Sequence, residues 1–298
     1  MSSNQSMEYF IKSHGLGNDY IVIDPDKISF DFSTQVVRLI CHRNYGIGSD
    51  GILLLSKSSS ADFGLRILNP DGSEAEKSGN GIRIFAKFLY DYDYTKKQKF
   101  SIETLGGLVD AEIVPENGKA HYIDVYMGMA SFYSTDIPVE GNEREVVGEE
   151  LRINGDIFKF TAVTVGNPHC VIFVEELNPG LIKKVGPIIE NHVIFPNRTN
   201  VQFASVKSPD EVEILIWERG AGYTLASGSS SCAVASASVK NGFTERKLKI
   251  KMPGGVLDIK VNEDWSIRMK GPAEEVYSGK FSSELIHRIK SSDFPDMD

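Results

Sequence analysis

The sequence predicts a mixed α/β (α+β) fold made of two copies of one strand-and-helix unit, and three observations predict it. First, Glu76-Lys77-Ser78-Gly79-Asn80-Gly81-Ile82-Arg83 is matched 149 residues later by Leu225-Ala226-Ser227-Gly228-Ser229-Ser230-Ser231-Cys232, in a chain of 298. Each is a Ser-Gly pair opening an apolar-periodic segment, the pattern of a loop turning into a helix. Second, the match runs upstream at the same offset: Gly17-Asn18 recurs as Gly166-Asn167, and Asn69 stands nine residues before Ser78 as Glu218 stands nine before Ser227. Third, each helix is followed by a short charged loop, a β-rich run and a glycine pair, Gly106-Gly107 and Gly254-Gly255, where the offset slips to 148. One residue lost in a loop accounts for the slip.

In order, residues 7–24 read as a strand, the turn Gly15-Leu16-Gly17-Asn18-Asp19 and a second strand, Tyr20-Ile21-Val22-Ile23. Ser33 caps a helix over about 34–42, because Val36, Val37, Leu39 and Ile40 fall on one stripe. Loop 44–51 delivers the buried strand Ile52-Leu53-Leu54-Leu55, and strand 63–68 stops at the turn Asn69-Pro70-Asp71-Gly72. Strand 122–127 ends the first unit, and the Glu-rich stretch 139–149 enters the second. There strand 160–165 meets the turn Gly166-Asn167-Pro168-His169, followed by a helix around 179–191 and strands at 201–206 and 211–217. After Ser282 a short helix and then a disordered acidic tail are expected. The expected domains are 1–130 and 131–271, with the segment about 272–283 a candidate to pack on the first and 284–298 a tail.

The length suits two domains, at about 100–200 residues each. A hydrophobic content of 41% and a charged content of 24% are ordinary for a soluble protein with real cores. A net charge of −9 argues against nucleic acid or an anionic membrane surface as partner. The start, Met1-Ser2-Ser3-Asn4-Gln5-Ser6-Met7, has neither a basic nor an apolar region, so no secretory signal is expected. No apolar run approaches the ~18 residues of a membrane span. Three cysteines without zinc or disulfide spacing make the cytoplasm the default compartment, with no metal expected. Cys41, Cys170 and Cys232 read as small buried hydrophobes.

The chemistry is expected where the two symmetric loops meet, because helix starts hold carboxylates or phosphates on their unpaired N–H groups. Gly79, Asn80, Gly228 and Ser229 supply those groups, and Asn18, Asn69, Asn167 and Asn200 add polar side chains on turns. Arg219 suits a bidentate contact with a carboxylate, and Glu218 suits an ammonium group. A small zwitterionic amino acid satisfies this set. Taken singly, Ser78 and Ser227 would be helix caps, the asparagines backbone-driven turn residues and His169 a surface or satisfied histidine. The duplication makes the serines site candidates, with His169 a candidate partner of one of them.

His14-Gly15-Leu16-Gly17-Asn18-Asp19, Gly46-Ile47-Gly48-Ser49-Asp50-Gly51, Asn69-Pro70-Asp71-Gly72-Ser73-Glu74, Ser78-Gly79-Asn80-Gly81, Gly166-Asn167-Pro168-His169 and Glu218-Arg219-Gly220-Ala221-Gly222 together resemble the diaminopimelate epimerase family, from about residue 9 to 280. The resemblance implies two pseudo-symmetric domains, each a strand barrel around a central helix, with the active site in the cleft between them. It implies an isomerase that interconverts LL- and meso-diaminopimelate for lysine and cell-wall synthesis, without a cofactor. A homodimer is left open. In that family a cysteine precedes the glycine at each helix start, one thiolate removing the α-proton and the other thiol returning one on the far face.

Ser78 and Ser227 stand where the family has its cysteines. A thiol ionises near ~8.5 and an alcohol near the water value of about 15.7, so generating the base costs at most about 10 kcal/mol more. His169 and Glu218 are the candidate catalytic groups that would assist the hydroxyls. Two possibilities stand: a deliberate Cys-to-Ser double substitution, which keeps binding while stopping turnover, or a natural serine variant, either active through assisted hydroxyls or recruited to another task or another amino acid. Tyr223, Ser230 and Ser231 also depart from the commonest family pattern. A serine hydrolase is disfavoured, since Gly228-Ser229-Ser230-Ser231-Cys232 is no nucleophile elbow. Gly79-Asn80-Gly81 is too short for a nucleotide fingerprint. A non-catalytic amino-acid-binding homologue is the alternative from another class.

Overall fold

The computed structural model describes residues 8–297; Asp298 and the first seven residues, read above for a signal and for the start of the first strand, lie outside them. The chain divides into two compact units, one made of residues up to Ile123 together with those from Pro272 onward, the other of Asp124–Gly271. The first opens with β1 (Tyr9–Gly15), β2 (Asn18–Ile23), α1 (Thr34–Cys41), β3 (Ile52–Ser56), β4 (Phe63–Leu68), β5 (Glu74–Ala75), α2 (Gly79–Asp91), β6 (Lys99–Thr104) and β7 (Gly107–Glu116). The boundary falls inside β8 (Lys119–Met129) and not at residue 130. The second unit carries β9 (Glu149–Ile153), β10 (Asp156–Thr164), β11 (Pro168–Phe173), α3 (Pro179–Glu190), β12 (Asn200–Ser208), β13 (Glu211–Glu218), β14 (Gly222–Thr224), α4 (Gly228–Lys240), β15 (Lys247–Met252), β16 (Gly255–Val261) and β17 (Ser266–Pro272). β18 (Glu274–Lys280) and α5 (Ser283–Ser291) belong to the first unit again.

The two units repeat one strand order. In the first, β18-β1-β2-β3-β4-β6-β7 lie side by side, β5 hangs on β4, and only β2–β3 and β4–β6 pair in parallel among these. In the second the order is β9-β10-β11-β12-β13-β15-β16-β17 with β14 on β13, and the parallel pairs recur as β11–β12 and β13–β15. The strand beside β10 comes from just upstream, Ile153 opposite Asp156. Its counterpart beside β1 comes from the far end of the chain, Lys280 opposite Tyr9.

Each unit is built around one helix. In α2 the residues Ile82, Arg83, Ile84, Phe85, Ala86, Phe88 and Leu89 are all buried, the pattern of a helix enclosed on every side. It packs on β1 and β2 and also on β7, near the opposite end of the strand order, so the sheet wraps it. Each fully buried large apolar side chain here contributes about 1.5–3 kcal/mol. α4 fills the same role with small residues, and its buried Ser231, Ser236 and Ser238 hydroxyls donate to the carbonyls of Ser227, Cys232 and Val234, four residues back. The repeated glycine pairs pin the helix entries: Gly106 N–H donates to Glu76 O and Gly254 N–H to Leu225 O, each at 2.8 Å.

The segment expected as a tail over 284–298 is part of the first unit's core. Ile289 is buried, and Leu285, Ile286, Phe294 and Met297 pack with Phe10, Val36, Leu39, Ile40 and Phe281. An amphipathic stripe, Leu285-Ile286-Ile289, outweighs the acidic composition. Cys41, Cys170 and Cys232 are all unbridged and buried. Burial pushes the Cys41 thiol up to about 11 and raises that of Cys170 further.

Candidate active site

In the first unit β5 and the following turn lead into Ser78, whose extended backbone (φ −138°, ψ 116°) makes it the N-cap of α2. Its Oγ accepts the Gly81 N–H at 3.0 Å, which satisfies one of the unpaired donors at the helix start. A Cβ on Gly81 would lie 3.2 Å from that Oγ and 3.0 Å from Leu53, so a glycine there leaves room for the cap. The hydroxyl has a second neighbour, the phenol of Tyr20 at 3.1 Å.

Around it lies a chain of polar contacts. Asn80 Nδ2 donates to Asn18 Oδ1 at 3.1 Å, Asn18 Nδ2 donates to Asp50 at 2.9 Å, and the buried Arg83 donates to Asn80 Oδ1 at 2.8 Å and to Gly79 O at 3.1 Å. Asp50 is held in turn by Arg43, which also bonds Asp19. Burial pushes the Asp19 carboxyl up, but bonds from Arg43 and the buried Lys12 outweigh this and hold it at about 2. Asn69 stands on its turn and donates to Ser73 Oγ at 3.0 Å.

In the second unit Ser227 caps α4 in the same way (φ −146°, ψ 124°), accepting from Ser230 N–H at 3.4 Å. Its own hydroxyl donates to Glu218 Oε2 at 3.2 Å, and Ser229 Oγ lies 3.4 Å away. Glu218 ends β13, so strand and helix bring the two groups together across nine residues of chain. Arg219 is exposed; its N–H donates to Asn200 Oδ1 and its guanidinium to Asn197 O. Asn200, buried, also donates to Pro168 O, so both ends of its amide serve the backbone.

His169 is a satisfied histidine and bonds neither Ser78 nor Ser227 directly. It is buried, with Nε2 bonded to Asn167 Oδ1 at 2.9 Å and Nδ1 to Gln202 Nε2 at 3.1 Å. The amide nitrogen of Gln202 also donates to Ser230 Oγ at 3.0 Å. Within its unit His169 reaches the helix start through Gln202 and Ser230, while the Ser227 hydroxyl donates a hydrogen bond to Glu218. Burial pulls the imidazole down to about 3, which keeps it neutral.

Two neighbours escaped the sequence reading, Tyr20 and Gln202. The repeat held the signal for the first, since the offset that pairs Asn18 with Asn167 pairs Tyr20 with His169. Among the described residues no cluster of three or more His, Cys, Asp or Glu could hold a metal ion, and no helix is long and apolar enough to cross a membrane.

A family model described as diaminopimelate epimerase matches residues 10–133 and 161–276. Diaminopimelate epimerase 2 of Nostoc sp. is 50% identical over 278 residues, covering 93% of this chain and 96% of that protein. The diaminopimelate epimerase of Pelotomaculum thermopropionicum is 44% identical over 276 residues, covering 92% and 98%. Among solved structures, a hydroxyproline epimerase from Agrobacterium vitis aligns with a TM-score of 0.69 at 14% identity, over 93% of this chain and 91% of that one. A probable proline racemase from Agrobacterium radiobacter K84 gives 0.70 at 13%, over 93% of each. At such identities the likeness is one of fold alone. The sequence matches span both copies of the repeat at up to half identity, and on them the chain belongs to the diaminopimelate epimerase family.

Proposed function

We propose that the chain is an amino-acid epimerase of the diaminopimelate type, inverting LL- to meso-diaminopimelate by proton transfer through Ser227 and Ser78 without a cofactor, and that the serines make it slow. One observation carries this: in each unit a hydroxyl caps a buried helix and bonds a titratable group, Glu218 in one and Tyr20 in the other. The helix-start amides of Gly79, Asn80, Gly228 and Ser229 suit the carboxylate of the substrate as charge develops on it. Arg219 is assigned to a carboxylate and Asn18, Asn69, Asn80, Asn167 and Asn200 to shaping the pocket. With Cys41, Cys170 and Cys232 unbridged, the cytoplasm suits the protein.

The slowness follows from magnitudes. The alcohol-for-thiol exchange costs up to about 10 kcal/mol, whereas a hydrogen bond to a carboxylate contributes about 1.5–3 kcal/mol. Glu218 therefore offsets a minor part of the deficit unless it takes the proton outright.

The test is deuterium entry at the α-carbon of LL- and meso-diaminopimelate in D₂O, followed by mass spectrometry and optical purity. Slow exchange by the serine protein and fast exchange by the Ser78→Cys/Ser227→Cys variant are expected. No exchange by that folded variant, on diaminopimelate or a panel of other amino acids, would sink the assignment. The serine pair also favours a second possibility, binding without turnover, which predicts thermal stabilisation by diaminopimelate and no deuterium entry with the serine protein.

A further inference from the structure

We infer that Tyr20 is a further catalytic residue, the proton partner of Ser78, and that it makes the two halves of the reaction chemically unequal. The inference rests on the proposed epimerase function. Tyr20 is 8% exposed, and its hydroxyl lies 3.1 Å from Ser78 Oγ. The ring is held in place: a Cβ on Gly51 would come within 2.8 Å of Tyr20 Cε1 and 2.6 Å of Leu68 O, so the glycine leaves the space the ring occupies. The backbones are tied as well, Ile21 N–H donating to Gly51 O at 3.1 Å. Since Ser78 Oγ already accepts from Gly81, the phenol is placed to exchange a proton with the remaining valence of the hydroxyl.

The repeat sharpens this assignment. Tyr20 and His169 occupy matching positions, yet His169 bonds Asn167 and Gln202, and Ser227 takes Glu218 instead. Glu218 in turn matches Asn69, which bonds Ser73 and has no proton to trade in the physiological range. Each serine therefore draws its titratable partner from a different member of the symmetric set.

The proton inventory balances. When the α-proton leaves on the Ser227 face, it becomes the new O–H of Ser227 as the old one passes to the Glu218 carboxylate, and the C–H electron pair stays on carbon. On the other face Ser78 gives its O–H proton to that carbon and receives the phenol proton of Tyr20, leaving a phenolate. The opposite isomer is processed from that state, with phenolate as base and protonated Glu218 as acid. Alternatively, Glu218 releases one proton to solvent and Tyr20 takes one up, which restores the starting form. Phenols ionise near ~10 and alcohols near about 15.7, which makes Tyr20 and not Ser78 the store of the proton.

The experiment separates this inference from the functional assignment. In a Ser78→Cys variant the pH dependence of alkylation by iodoacetamide reports the ionisation of the introduced thiol, while the buried native cysteines react slowly. A phenol donating to the thiolate lowers its pKa, so adding Tyr20→Phe, which keeps the ring against Gly51, is expected to cut alkylation near neutral pH about tenfold. The same change should leave a Ser227→Cys thiol unaffected. In parallel, Tyr20→Phe in the serine protein should depress deuterium entry from the isomer deprotonated on the Ser78 face without altering substrate binding. Superimposable alkylation profiles with and without the phenol overturn the inference whether or not the protein turns over. A shifted profile with no exchange on any amino acid upholds Tyr20 as the partner of residue 78 and discards the epimerase instead.

Discussion

The two helix starts share a backbone geometry and differ in side-chain chemistry. Ser78 and Ser227 cap helices of the same length with nearly the same φ and ψ, and each cap accepts from the residue three further on. Around Ser78 the shell is an extended network of paired charges and amides, with Arg83 reaching Asn80 and Arg43 reaching Asp50. Around Ser227 it is compact, with Glu218 on the hydroxyl and a neutral histidine behind Gln202. After a duplication the cap geometry is fixed by the helix start, whereas a side chain on a neighbouring strand is under no such constraint. The pseudo-symmetry therefore describes the scaffold more closely than it describes the side-chain partners of the two caps.

The largest test of this comparison is to make the halves alike in their reacting atom. The double change Ser78→Cys/Ser227→Cys should raise α-proton exchange by at least about 10³-fold, a fraction of the upper bound set by the thiol–alcohol gap. Either change alone should give far less, because inversion needs a base on one face and an acid on the other. Equal rates for single and double variants in labelled water would break the two-face scheme.

Removing the acceptor from one half comes next. Glu218→Gln keeps the size and a hydrogen-bond acceptor but not the proton sink, and should lower exchange by about 10²-fold or more with substrate affinity preserved. If affinity falls and the exchange rate of bound substrate stays, Glu218 binds the ammonium group and the assignment to proton transfer is wrong.

His169 supplies a test of stability. Its folded pKa, about 3, lies below the unfolded value near 6.5, so its contribution is whole above pH 6.5 and is lost as pH falls toward 3. One pH unit down that slope should shift the folding equilibrium by up to about tenfold. Urea melts between pH 6.5 and 5, where few carboxylates titrate, should show the slope in the parent and a flatter one in His169→Gln.

The smallest effect concerns the exposed cation. Arg219→Lys keeps the charge but not the planar fork, and should weaken diaminopimelate binding about fivefold by calorimetry. Unchanged affinity would remove Arg219 from the substrate set.

Local signals were legible in the sequence, and contacts made at long range were not. Ser33 before the stripe Val36-Val37-Leu39-Ile40 foretells α1 because cap and stripe lie within one stretch of chain. The repeat located both helix starts, since Ser78 and Ser227 stand in matching surroundings. Tyr20 went unnoticed because its partner is 58 residues away, and a tyrosine in a β-rich run reads as core. Gly166-Asn167-Pro168-His169 has the composition of a turn, yet β11 begins at Pro168 and carries His169 inward. β18, Glu274-Glu275-Val276-Tyr277-Ser278-Gly279-Lys280, has no apolar alternation worth the name, and its residues are mostly exposed. It is a strand because β1 gives it a register.

That borrowed strand sets a timetable for synthesis. A ribosome finishes every residue of Asp124–Gly271 before it begins β18, so the second unit can close while the first still waits for its edge. At about 5–20 residues per second, the roughly 150 residues between Ile123 and β18 take on the order of 10–30 s to make. Through that interval the β1 edge from Tyr9 to His14 offers unpaired backbone groups, the kind that recruit a strand from another chain. Nascent chains of this protein should thus need chaperone cover late, and a stop codon ahead of β18 should yield aggregates rather than a slightly shorter enzyme.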